Sequence, residues 1–162
     1  MGKIVEFNKR SGFFARMADK IEVECRNHNL NVQRKIGGDK ICVDLIVGHR
    51  TYKASFCVKE VGNHEDLQFI AQIRVHHFDD GNIRFLRHHV YKGGYGNRLI
   101  LLSGQDLVWE IFFSVEVKDV GWCADYALHE FITKMPRIDQ EWSRYMLGRR
   151  KAAVRSQRKA SE

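Results

Sequence analysis

The stretch Lys40-Ile41-Cys42-Val43-Asp44-Leu45-Ile46-Val47-Gly48-His49-Arg50-Thr51-Tyr52-Lys53-Ala54-Ser55-Phe56-Cys57-Val58 decides the fold. Apolar and polar residues alternate on both sides of Gly48-His49, the period of a strand with one buried face. A two-residue loop at Gly48-His49 sets Val47 opposite Arg50. It then pairs Leu45 with Tyr52, Val43 with Ala54 and Ile41 with Phe56 on one face. On the other face Asp44 meets Lys53, an opposite-charge cross-strand pair. One register satisfies both faces, so an antiparallel hairpin is expected.

The same period runs outward. Upstream, Val32, Arg34 and Ile36 alternate before Gly37-Gly38-Asp39, a second hairpin signal. Downstream, Leu67–Tyr91 predicts a hairpin around Asp79-Asp80-Gly81. A two-residue Asp80-Gly81 loop mixes polarity on each face. A three-residue loop with Gly81 in the bulge position pairs Phe78 with Asn82 and segregates it. Ile73, Val75, Ile83 and Phe85 then share one face; Gln72, Arg74, His76, Arg84 and His88 share the other. A one-residue slip exchanges the faces, so the segregating register is expected. Arg98–Ser103 and Asp106–Val117 form a last hairpin across Gly104-Gln105, with Leu102 opposite Leu107 and Ile100 opposite Trp109.

Helical periods bracket the strands. Phe14, Met17/Ala18, Ile21, Cys25 and His28 predict a helix over Ser11–His28, with Ser11 as N-cap. Alternation of Ile21, Val23 and Cys25 offers a strand over Lys20–Cys25 instead, but the length of the pattern favours the helix. After the last strand, Val117, Val120/Gly121, Ala124, Ala127/Leu128, Phe131/Ile132 and Met135 make one apolar stripe. Pro136 disfavours an unbroken helix. It can open a second helix at its first turn, with Ile138, Trp142 and Tyr145/Met146 inward. The expected fold is α+β: an antiparallel meander sheet of about seven strands flanked by an N-terminal helix and one or two C-terminal helices. This order, closing on Trp142 and Tyr145, resembles that of type III secretion chaperone-like folds. Those folds place a helix between their strand groups and are acidic. Neither feature is visible here, and no function is carried across.

The length of 162 residues suits one domain. That domain is expected over 1–147, followed by a basic tail over 148–162. The tail holds six Lys/Arg against Glu162, so it carries +5 of the formal +7, while the body is close to neutral. No apolar run approaches the length that spans a bilayer, and Met1–Glu6 lacks the apolar core of a signal peptide. No membrane association is expected. The four cysteines, Cys25, Cys42, Cys57 and Cys123, form no C-x-x-C pair. They read as reduced thiols, mostly small core residues, in a cytoplasmic protein.

Residues that could carry chemistry are few. His76-His77 and His88-His89 suggest a metal, but adjacent strand residues point to opposite faces and Arg84 beside His76 repels a cation. Lys92-Gly93-Gly94-Tyr95-Gly96-Asn97 matches no phosphate-loop pattern and precedes a strand, so it lacks the helix N-terminus that binds phosphate. No G-x-S-x-G or H-E-x-x-H occurs. Cys123, within Trp122-Cys123-Ala124-Asp125, reads as a packed thiol rather than a redox centre. No enzymatic reaction and no cofactor are indicated.

Two function classes remain. The first is a non-enzymatic nucleic-acid or polyanion-binding accessory protein, with DNA or RNA as partner. Its candidate contacts are Arg74, His76, Arg84 and His88 on a strand face, and Arg149, Arg150, Lys151, Arg155, Arg158 and Lys159 in the tail. The second is a protein-interaction or chaperone-like adaptor. It would hold a protein partner, or a second copy in a homodimer, through the sheet and the C-terminal helices.

Overall fold

A computed structural model of the chain describes residues 2–35, 39–61, 66–76, 85, 96–102 and 106–161, with side chains from Gly12 onward. In order it forms α1 (Gly2–Asn27), β1 (Val32–Arg34), β2 (Lys40–Val47), β3 (Arg50–Glu60) and β4 (Leu67–His76). β5 (Asn97–Leu102), β6 (Asp106–Val115), a 3-10 turn (Val117–Asp119) and α2 (Val120–Ser161) follow. The described strands make one antiparallel sheet, ordered β1-β2-β3-β4-β6-β5. The α+β class and the flanking helices are as expected, with six strands among the described residues.

The β2–β3 hairpin has the expected register from Val47↔Arg50 to Ile41↔Phe56. Lys53 Nζ reaches Asp44 Oδ1 at 2.5 Å. Gly48 supplies the positive φ, +63°, that this turn needs at its first loop position.

Two strand expectations are corrected. β4 is hydrogen-bonded to β3 on one edge and β6 on the other. No edge is left for the second arm of a Leu67–Tyr91 hairpin, and Phe85, expected in that arm, is helical and buried. The loop at Asp79-Asp80-Gly81 and the pairing of Phe78 with Asn82 lie outside the described residues. The β5–β6 register also differs: Leu102 pairs with Asp106, Leu101 with Leu107 and Leu99 with Trp109. This one-residue slip puts Leu99 and Leu101 against the core and sets Arg98 opposite Glu110. Ahead of β5, Gly96 comes so close to β6 that an added Cβ would lie 2.5 Å from the Phe112 carbonyl oxygen. Its own φ is +84°, so glycine is required there on both counts.

α1 begins at Gly2, ahead of the expected cap at Ser11, because no proline or turn signal interrupts the preceding segment. The strand alternative over Lys20–Cys25 is excluded. Met17, Ala18, Ile21 and Cys25 form its buried stripe. The helix stops where Asn29 turns left-handed at φ 58°. There Leu30 N–H donates to the Cys25 carbonyl and Asn29 N–H to the Arg26 carbonyl. These are the two bonds of a Schellman cap.

α2 is a single helix of 42 residues with Pro136 inside it, not two helices. Val120, Cys123, Ala124, Ala127, Leu128, Phe131, Met135 and Ile138 are buried along one side. That stripe continues across Pro136, which itself points to solvent. Packing on both sides of the proline outweighs the lost hydrogen bond. α1 packs on β2 and β3, α2 on β4, β2 and β6, and the two helices touch each other. Both therefore cover one sheet face, where Phe56, Phe69, Ile73, Trp109 and Ile111 meet Ile21, Leu128 and Phe131 in a single core.

Candidate polyanion-binding surface

Arg74 and His76 were expected side by side, and a β-bulge separates them. Pairing with β6 shifts between these residues: Arg74 sits opposite Val108, but His76 sits opposite Leu107. Leu107 belongs to the helix-covered face, so the extra residue re-aims His76 towards α2. Its ring lies 3.8 Å, centroid to centroid, from that of Trp142. Arg74 stays on the far face, where its Nε approaches Asp106 Oδ2 at 3.0 Å. Arg84 and His88, the other strand-face candidates, lie outside the described residues, as do His77, His89 and the glycine-rich segment 92–95.

Arg74 and His76 do help to line a shallow cleft of about 190 Å³, with Arg50, Thr51, Tyr52, Lys53 and Val75. Its cations are already engaged. Arg50 Nη1 donates to both carboxylate oxygens of Asp139 on α2, at 2.8 and 2.7 Å. The Tyr52 hydroxyl donates to the same carboxylate at 3.1 Å. Burial and then Asp139 raise the Tyr52 pKa, which keeps that hydroxyl protonated. Lys53 holds Asp44, and Arg74 holds Asp106. An incoming anion would have to displace a carboxylate at each position. The cleft works mainly as a clamp between the β2–β3 hairpin and α2.

The tail is different. It forms the end of α2, which stays helical through Ser161. Trp142 and Tyr145 are the last side chains packed against the core. Arg149 is drawn back over Tyr145, with its guanidinium 6.0 Å from the ring centre. From Arg150 to Ser161 every residue is exposed. At 1.5 Å per residue this segment extends about 16 Å. Arg150, Lys151, Arg155, Arg158 and Lys159 make no ion pair with any described carboxylate. The structure thus splits the expected surface. Of the expected strand-face cations, Arg74 is paired within the protein, whereas the cations from Arg150 to Lys159 stand open among the described residues.

One polar cluster escapes sequence reasoning. Glu110 is 4% exposed although it lies on the sheet face turned away from the helices. Arg98 Nε donates to its Oε1 at 2.7 Å, and Gln72 Nε2 donates to Oε2 at 2.6 Å. The Arg98 guanidinium also lies 4.6 Å from the Phe112 ring centre. The alignment of Arg98 with Glu110 across the hairpin was the available signal. Arg98→Ala leaves a buried carboxylate with one amide partner. Removing one member of a buried pair costs about 3–5 kcal/mol, and Arg98 is half exposed, so a loss of about 2 kcal/mol is expected. Urea unfolding should show it, and the double variant Arg98→Met/Glu110→Leu should recover most of it.

The four cysteines lie among the described residues. All four are free thiols. Burial, followed by nearby Glu22 and Glu24, pushes the Cys25 thiol up to about 12. Burial pushes Cys123 up to about 11, consistent with a packed thiol. Among the described residues no three His, Cys, Asp or Glu side chains gather as a metal site. No described helix is long and apolar enough to cross a membrane.

No protein-family model, curated protein or solved structure matches this chain.

Proposed function

We propose that this is a non-enzymatic nucleic-acid or polyanion-binding accessory protein whose contact element is the basic end of α2. The observation that carries the reading is the contrast between two sets of cations. Arg50, Lys53 and Arg74 are matched by Asp139, Asp44 and Asp106. Those from Arg150 to Lys159 have no such match among the described residues and stand on an exposed helix. Unmatched cations attract polyanions because binding releases condensed counterions. The folded body then serves as a mount that sets the helix direction through the Arg50–Asp139 clamp and the Trp142 stack.

The test is an anisotropy titration of the full chain with DNA and RNA oligonucleotides at two salt concentrations. With about four phosphates neutralised, affinity should fall about 100-fold between about 50 and about 200 mM salt. Binding that ignores salt, or no binding to either nucleic acid, contradicts the proposal.

A second reading, a protein-interaction adaptor, is favoured by one observation at the opposite end of α2. Trp122 is 65% exposed and stacks on Tyr126, with ring centroids 5.5 Å apart. Val117, three residues before α2 begins, is also exposed. A salt-insensitive homodimer or heterocomplex in light scattering, lost on Trp122→Ser, would support this reading.

A further inference from the structure

We infer that the partner is a duplex nucleic acid, gripped along its phosphate backbone by a single stripe of the α2 end: Lys151, Arg155, Arg158 and Lys159, with Arg144 in line about two turns earlier. The inference rests on the polyanion reading above and names its ligand and its contact residues.

The stripe follows from the helix. At 3.6 residues per turn, positions 151, 155, 158 and 159 fall within an arc of about 100°, over a rise of about 12 Å. Arg144 falls inside the same arc, and all five residues are exposed. Arg137 points the same way but is held by Glu141 at 3.2 Å, so the unmatched charge begins beyond it. Arg149 and Arg150 are not part of the stripe. Arg149 continues the buried side of α2 and leans on Tyr145, and Arg150 lies on the flank shared with Asp139.

The other faces of this segment discriminate between polyanions. A helix that binds a lipid surface buries an apolar face. Here the remaining positions hold Ala152, Ala153, Ser156, Gln157 and Ala160, and Leu147 and Val154 are the only large aliphatic side chains from 147 to 161. Single-stranded nucleic acid is held by stacking on aromatic rings, and residues 146–162 contain none. An acidic protein would need carboxylates spaced to match the stripe. A duplex presents one negative charge per about 1.7 Å of its axis, so each cation finds a phosphate in any register. It asks only for charge along one side of a stiff rod, which this helix end supplies. Binding through phosphates alone also implies little sequence preference.

The experiment compares three full-length proteins. One is unchanged, one carries Lys151→Gln, Arg155→Gln, Arg158→Gln and Lys159→Gln, and one carries Arg149→Gln and Arg150→Gln. Glutamine keeps helix propensity close to that of the residues replaced, and equal melting temperatures check that the fold is intact. Each is titrated against duplex DNA, duplex RNA, single-stranded DNA, polyglutamate and phosphatidylserine vesicles. The unchanged protein should prefer the two duplexes, whose relative affinity shows which one is the better source of the backbone. The stripe variant should lose about 100-fold for them, and its log–log salt slope should flatten by about 3.6 units. The off-stripe variant should change by less than about threefold, with a flattening below about 0.9, less than one phosphate contact. If both variants lose affinity equally, or single strands, polyglutamate or vesicles bind better than duplexes, this inference falls and the broader polyanion reading stands. If the unchanged protein binds none of them, that broader reading fails too.

Discussion

Phe131→Ala is expected to lower the unfolding free energy by about 3–5 kcal/mol, the range for emptying a fully buried aromatic site. Phe131 is wholly buried on α2. Its ring centre lies 5.2 Å from that of Trp109, nearly edge-on, and 6.1 Å from that of Phe56. These partners come from β6 and β3, on either side of β4, so this one side chain ties the long helix to the middle of the sheet. Neither neighbour can collapse into the gap without leaving its strand position, which puts the cost towards the upper end. Urea denaturation should show a lower midpoint with an unchanged slope. A loss below about 1 kcal/mol would mean that α2 does not seat here.

Pro136→Ala should act in the opposite direction, with a gain of up to about 3 kcal/mol. Within a continuous helix Pro136 removes the donor for the Ile132 carbonyl and crowds that turn. Alanine restores the bond at an exposed position with no packing to lose. If the chain instead formed two helices with Pro136 at the start of the second, the proline would be favourable and its replacement would bring no gain. A thermal melt therefore separates one rod from two. The distinction matters for function, because a continuous α2 carries the orientation of the core out to the basic end.

The β2–β3 hairpin was readable from sequence because its two faces differ in polarity and a charge pair independently checks the register. The β5–β6 register was not. Leu99-Ile100-Leu101-Leu102 has no alternation, so either face could turn inward. The Arg98–Glu110 match, the same kind of check that located Asp44 against Lys53, would have decided it. The strand expected after Asn82 followed from a period of two, which cannot tell that β6 already occupies the free edge of β4. The separation of Arg74 from His76 was invisible for a related reason: a bulge shifts phase by one residue without marking the residue types. The open positive charge was legible in composition alone. Its arrangement as a stripe was not legible, because beyond Gly148 no apolar period marks the helix that aligns it. The Asp139 and Asp106 partners that neutralise Arg50 and Arg74 are distant in sequence and needed the fold to be seen.

In the proposed function the basic end of α2, rather than the strand face, makes the contact with the polyanion. Deleting Arg149–Glu162 and repeating the duplex titration at low salt tests it most directly. The segment is almost entirely unpacked, so the melting temperature should barely move, while affinity should fall at least tenfold and most of the salt dependence should disappear, each lost phosphate contact removing about 0.9 from the slope. A truncated protein that binds as tightly, with the same salt slope, would place the contact on the folded body and contradict the account.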